Sequence, residues 1–300
     1  MFRSTSLVKP AMGVIVALFL LSSCKPEGEP VPVKQPDVTK PDPISKPDSN
    51  TGNQQTDPTK DPEYPAGTVL KLKKLSYSAN DYHEVAYNAD GAISRYHNQY
   101  LYNPADGYIQ KFTSDFQYDA NKRLVRLNRN HGSYVKYFYE GDKVVKTEEY
   151  NSYNELIGSH TYQYAVDRLT ASYDVTINVS QNRRFESKTT FEYDTKGNLT
   201  NRSLFNRNLE TGEYKLDFSI LYSNYDDKKF VENLTEVNPY LPGVVFKVNN
   251  PGLKVLKNRD GYELTGREQY SYTYNADGYP LTRRTTGAGG TMNATYSYQK

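Results

Sequence analysis

The stretch Tyr272-Thr273-Tyr274-Asn275-Ala276-Asp277-Gly278-Tyr279-Pro280-Leu281 decides the fold. Two aromatics two residues apart lie on one face of an extended strand. An Asn or Asp opens a turn by bonding its own backbone, and the Gly takes the left-handed position that ends it. Apolar residues then resume with period two, so the stretch reads as a β-hairpin.

The same order of residues recurs along the chain. It appears as Val85-x-Tyr87 leading through Gly91 to Ile93, and as Tyr100-x-Tyr102 leading through Gly107 to Ile109. Phe116-x-Tyr118 leads to Leu124, Tyr137-x-Tyr139 to Val144, and Tyr162-x-Tyr164 to Leu169. Phe191-x-Tyr193 leads through Gly197 to Leu199. Gly91, Gly107, Gly197 and Gly278 are therefore read as structural turn residues. Tyr suits such strands because its ring packs across neighbours while its hydroxyl reaches a partner. That use accounts for 29 tyrosines in 300 residues with no Trp.

Successive hairpins without helical spacers predict an all-β protein, an antiparallel meander forming a large twisted or curved sheet. Residues 236–256, with Pro239, Pro242 and Pro251 among apolar residues, break the rhythm. They are expected to form a loop or short helical turn covering one face, since a single sheet must bury a face. A binding lid is the alternative. The chain should end on a hairpin, Leu281–Thr286 and Thr291–Tyr298, joined by Gly287-Ala288-Gly289-Gly290.

Tyr-Asp-x-x-Gly-x-Leu resembles the YD, or Rhs-type, repeat. The last unit, with Asn238-Pro239-Tyr240 before it, is similar to the C-terminal end of Bacteroidetes lipoproteins of unknown function. The resemblance covers most of 70–300 and implies a compact β domain with no assigned activity. Rhs-type repeats build long β-sheet shells, for which this chain has too few units.

Arg3 and Lys9 precede an apolar run, Ala11–Leu21, which has the form of a secretory signal peptide. Leu21-Ser22-Ser23-Cys24 follows. It resembles the bacterial lipoprotein box, which implies acylation of Cys24 and cleavage before it. Cys24 would then be a membrane tether, since each buried CH₂ contributes about 0.8 kcal/mol. Glu27 and Glu29 just after it fit export to the outer face of the outer membrane. Residues 25–66 hold ten of the sixteen prolines and read as an extended spacer, or alternatively as a proline-rich ligand. The organisation expected is a signal peptide at 1–23, an acylated Cys and stalk at 24–66, and a hairpin-repeat domain at 67–300.

Composition excludes several functions. The apolar run is eleven residues, where a spanning helix needs about 20. Formal charge is +2, and removal of Arg3 and Lys9 leaves 35 basic against 35 acidic residues, so a nucleic-acid partner is not expected. A single Cys rules out an intramolecular disulfide. His83, His97, His131 and His160 lack metal-ligand spacing and are expected at surface strand or turn positions. No cofactor or metal is expected, and no catalytic residue is assigned. Glu148-Glu149 and Asp226-Asp227 would point to opposite faces of a strand. The expected function is a non-catalytic binding or structural module, lipid-anchored at the outer membrane and exposed at the cell surface. Its partners would be the membrane, through Cys24, and a glycan or protein ligand. The alternative is a cell-envelope hydrolase acting on glycan or peptide.

Overall fold

The computed structural model describes residues 67–103 and 106–300. The signal peptide, Cys24 and the proline-rich stalk lie outside the described residues. Sixteen antiparallel strands follow one another: β1 Lys71–Ser78, β2 Asp81–Tyr87, β3 Ile93–Asn103, β4 Tyr108–Tyr118, β5 Leu124–Arg129, β6 Tyr134–Glu140, β7 Lys143–Tyr150 and β8 Leu156–Ala165. They continue as β9 Arg168–Asn178, β10 Arg183–Tyr193, β11 Leu199–Arg207, β12 Tyr214–Ser223, β13 Leu253–Asn258, β14 Glu263–Tyr274, β15 Pro280–Gly287 and β16 Gly290–Gln299. Each strand pairs with the next, and β1 pairs with β16, so the sheet closes into a barrel.

Closure into a barrel corrects the expectation of a large twisted or curved sheet. Sixteen twisted strands bring first and last together, and pairing them satisfies both edges at once. The insert is corrected too. It is the β12–β13 connection, residues 224–252, and the face it covers is the inner face of the closed barrel. Leu253, Val255 and Leu256 belong to β13. The connection contains a single turn of 3-10 helix at Asn233–Thr235 and a cis Asn238–Pro239 bond.

At one end of the barrel four hairpin turns repeat one design. The turns that open at Asn88, Asp119, Asp194 and Asn275 are closed by backbone bonds at two levels, as in Gly91 N to Asn88 O at 2.9 Å and Asn88 N to Ala92 O at 2.7 Å. The leading Asn or Asp does what its side chain allows. Asp119 accepts from the amides of Asn121 and Arg123, and Asn275 from those of Asp277 and Tyr279. Gly91, Gly197 and Gly278 have φ of +86°, +96° and +79°, the left-handed region that side chains avoid. Beside each of these turns the register slips by one residue, as between Gln117 and Tyr118 or Glu192 and Tyr193. Such a bulge re-aims the side chain that follows it.

The re-aimed side chain is a tyrosine. The hydroxyl of Tyr87 donates to the carbonyl of Leu72, Tyr118 to Ile93, Tyr139 to Leu124, Tyr164 to Val144 and Tyr193 to Leu169, at 2.8–3.0 Å. Tyr225 reaches Leu199 and Tyr298 reaches Pro280 in the same way, while Tyr274 donates to the Asp226 carboxylate. Each hairpin is thus stapled to the previous one around the whole ring. Cations from neighbouring turns, among them Lys71, Arg123, Lys143 and Arg168, lie over these rings at 5.1–5.7 Å. The aromatic two residues earlier points inward with the tyrosine: Phe116, Tyr137, Tyr162 and Phe191 are all buried.

Gly107 has φ of +71° but belongs to the opposite end, between β3 and β4. Tyr100-x-Tyr102 is therefore not a copy of the stapled unit. Tyr102 is 64% exposed.

Candidate functional site: the plugged lumen

The 224–252 connection fills one end of the barrel. Its residues touch walls on all sides. Tyr240 meets Phe116 of β4 edge to face at 5.7 Å, and Phe246 meets Phe191 of β10 at 5.3 Å. Glu236 O accepts from Arg202 of β11, and Glu232 pairs with Arg283 of β15 at 2.6 Å. Only a segment inside the ring can reach walls so far apart in the strand order. Leu241, Val244 and Phe246 join Leu124, Val135, Val144, Leu169 and Leu199 in the main core. This plug supplies the buried layer that a closed sheet otherwise lacks.

Polar bonds fix its shape. The Asn233 side chain accepts from the amides of Phe246 and Lys247. Asn198, fully buried in the β10–β11 turn, accepts from the amides of Val248 and Asn249 at 2.9 and 2.8 Å. Asp226 accepts from both the backbone and side-chain amides of Asn250. A cavity of about 250 Å³ remains between plug and wall, lined by Leu72, Val85, Ile93, Val231 and Val244 among others. A separate hollow of about 480 Å³ involves Glu84, Arg95, His97 and Thr113.

Three of the charge networks among the described residues lie against the plug or the wall around it. Glu232, buried in the plug, takes Arg283 and the Tyr296 hydroxyl, and Arg283 also holds the Tyr77 hydroxyl. Burial raises the Glu232 carboxyl, but the Arg283 charge and the Tyr296 bond outweigh it and hold it below the usual range. Lys247 pairs with Glu236 at 2.5 Å and sits 4.1 Å from the Tyr222 ring centre. Burial pulls its ammonium down from its ordinary value, and Glu236 works against that.

The third network is on the wall of β5, β7, β8 and β9. Arg129 forks onto Glu149 at 3.0 and 3.2 Å. His160 lies between Glu149, at 3.4 Å, and Asp174, at 2.7 Å. Burial opposes charge on the imidazole, yet its bonds to Asp174 and Glu149 lift it to about 9. Burial likewise opposes charge on Glu149, but His160 and Arg129 bring it down to about 2. Glu149 is therefore held ionised and its oxygens are taken up by Arg129 and His160, so it is not a proton donor near neutral pH.

Two of the four histidines, His83 and His160, correct the sequence reading. His160 is one of the buried groups just described, and His83 stacks on Tyr96 inside the barrel, its imidazole lowered chiefly by burial. His97 bonds Thr113, and His131 lies beside Ser133 in a turn. A signal for His160 was present: in His160-x-Tyr162-x-Tyr164 it shares the inward phase of the motif. Glu148 and Glu149 do split across the sheet. Glu148 takes Lys146 and Tyr150, while Glu149 belongs to the inner network. The plug anchors Asn198, Glu232, Lys247 and Arg283 carried no such mark.

The outer wall has the opposite character. One ladder of paired residues runs Lys111, Gln99, Tyr82, Ser76, Thr295, Thr282, Thr273 across β4 to β1 and on through β16 to β14. A second runs Gln117, Arg126, Lys136, Glu148, Ser159, Val175, Glu186 across β4 to β10. Ser203, Ser219 and Lys257 cover β11 to β13. These residues alternate with the buried inward set, so the polar face encircles the barrel. A barrel crossing a bilayer presents an apolar band about 25 Å tall instead.

The fold is that of known sixteen-strand barrels. A porin-like protein from Bacteroides vulgatus superposes with a TM-score of 0.55 over 77% of this chain and 99% of its own, at 11% identity. A porin-like protein from Bacteroides uniformis gives a TM-score of 0.50 over 76% of this chain and 98% of its own, also at 11% identity. At that identity the likeness establishes the barrel fold. No family model matches the chain, and no curated protein matches it.

Proposed function

We propose that this protein is a water-facing, plugged β-barrel held at the outer membrane by a lipid on Cys24, and that it acts as a non-catalytic binding or structural module. The observation that carries the reading is the polar outer wall: its rows are mostly polar and include Lys111, Arg126, Lys136, Glu148, Glu186 and Lys257, and such a wall cannot sit in hydrocarbon, where a Lys or Arg at mid-depth costs about 2–4 kcal/mol each. The barrel therefore needs another attachment, and the residues before it supply one in Leu21-Ser22-Ser23-Cys24 and a proline-rich spacer. The saturated Glu149 carboxylate of the inner wall favours this over the hydrolase alternative. Exposure of the barrel on the cell surface is part of the same reading.

Fractionation tests it. Wild-type chain should sediment with membranes and require detergent for release. Cys24→Ala should appear in the detergent-free soluble fraction, folded by circular dichroism. A Cys24→Ala chain that stays in membranes through carbonate washing would mean that the barrel itself is inserted.

A further inference from the structure

The cavity of about 250 Å³ between plug and wall has a lining unlike the charged networks around it. Aliphatic side chains of β1, β2, β3 and the plug form most of its surface, among them Leu72, Val85, Ile93 and Val244. Among the described residues, no charged side chain lines it. Its mouth lies at the plug residue Val245, which borders the cavity and is 46% exposed. Water gains little in such a space, because a held water needs about two to four polar partners. The polar groups at hand are mostly spent. The Tyr87 hydroxyl donates to the Leu72 carbonyl. The Asn233 side chain accepts from the amides of Phe246 and Lys247 and donates to the Lys247 carbonyl. Tyr240 is the exception. Its ring meets Phe116 edge to face, while its hydroxyl holds no hydrogen bond among the described residues. Burial raises this phenol, so the hydroxyl stays protonated and is free both to donate and to accept.

We propose that this cavity binds a small, neutral, largely apolar molecule bearing a single hydroxyl or carbonyl, its body against the aliphatic wall and its polar atom at Tyr240. Size follows from the volume. A cavity of about 150 Å³ holds benzene, so one of about 250 Å³ takes roughly ten heavy atoms. Neutrality follows from the lining, since an ion would lose its hydration and meet no counter-charge. The single polar group follows from Tyr240, the lining hydroxyl with bonding capacity to spare. Flat rings suit the site as well, because Tyr87 and Tyr240 present aromatic surface to it. The proposal goes beyond the anchored-module reading and does not depend on the tether, which membrane fractionation of Cys24→Ala tests separately.

Equilibrium dialysis of the full chain is the test, with naphthol, naphthalene and naphthalene sulfonate as probes: one ring system bearing a hydroxyl, no polar group or a charge. Naphthol should bind at a single site with a dissociation constant on the order of 0.1 mM, a moderate efficiency for a ligand of that size. The sulfonate should bind at least tenfold more weakly. Val231→Phe fills the cavity from the plug and should weaken both neutral probes at least fivefold. Tyr240→Phe keeps the ring contact with Phe116 and removes the hydroxyl. It should weaken naphthol about threefold or more and leave naphthalene within about twofold. Circular dichroism should be unchanged in both variants; if Val231→Phe does not fold, Tyr240→Phe decides alone. No saturable binding of either neutral probe, sulfonate binding as tight as that of naphthol, equal loss of both neutral probes in Tyr240→Phe, or binding indifferent to both substitutions would overturn the proposal.

Discussion

Asn198 should be the most sensitive polar position in the barrel. It is fully buried in the β10–β11 turn, and its side-chain oxygen receives the plug amides of Val248 and Asn249. Its amide nitrogen donates to Asp194 and Asn249, each at 3.2 Å. Asn198→Leu keeps the volume but leaves both plug amides without an acceptor. A buried donor stranded this way costs about 1–3 kcal/mol. Val248 is 44% exposed, so water can reach its amide once the plug shifts. The expected loss is then roughly 2–4 kcal/mol. Urea unfolding followed by far-ultraviolet circular dichroism reads the loss, and limited proteolysis reads whether residues 224–252 become cleavable first. Asn198→Asp sharpens the test. It keeps the acceptor but places a second carboxylate beside Asp194, and two carboxylates at that distance resist joint ionisation. The pair holds a proton more tightly folded than unfolded, so the deficit against wild type should shrink below about pH 4 and grow as pH rises. A loss under about 1 kcal/mol for Asn198→Leu, with the plug still protected, would show that Asn198 does not secure it.

Gly197→Ala should destabilise more than Gly278→Ala: both combine a positive φ with an added Cβ, but at Gly197 that Cβ would lie 2.0 Å from the Arg168 guanidinium and at Gly278 3.4 Å from the Lys228 chain; comparing urea midpoints checks the order. Tyr193→Phe removes one staple, to the Leu169 carbonyl, while keeping the ring, and should cost about 1 kcal/mol in the same assay. His160, lifted to about 9, contributes stability fully present below about pH 6.5 and lost as pH rises through 9; the wild-type melting temperature should fall across that window, and His160→Gln should flatten the fall. Leu169→Ala, at a site with no exposure, should cost about 2–5 kcal/mol through the cavity left.

The hairpins were legible because their signals are local. Asn275 to Gly278 is a turn by its own side chain and by glycine's freedom, whatever surrounds it. Closure was not legible, because no residue of β1 or β16 announces that Leu75 will pair with Tyr296 across more than two hundred residues. The same distance hid the plug. Pro239, Pro242 and the apolar residues around them called for burial, but a cover over a face and a plug inside a ring bury the same residues. What separates them is the set of polar partners, Arg283 for Glu232 and Asn198 for Val248, which only the closed topology brings together. Tyr100-x-Tyr102 misled for a related reason. Its turn chemistry matches the other units, but strand direction puts it at the opposite end, where no preceding carbonyl awaits its hydroxyl.

The motif also decides which solvent the barrel accepts. A strand has two faces with period two, so a one-residue slip exchanges the inner and outer sets entirely. Slipped in this way, the chain would turn Tyr162 and Phe191 outward and bring the Lys, Glu and Thr rows inside, the polarity of a barrel that lives in lipid. The register that prevents this is set turn by turn. Each bulge commits its tyrosine to the inner face, and each hydroxyl finds a carbonyl only if the previous hairpin made the same choice. Five such bonds to backbone carbonyls, at about 1 kcal/mol apiece, bind the choices together around the ring. The local turn signal and the global polarity of the barrel are thus one specification.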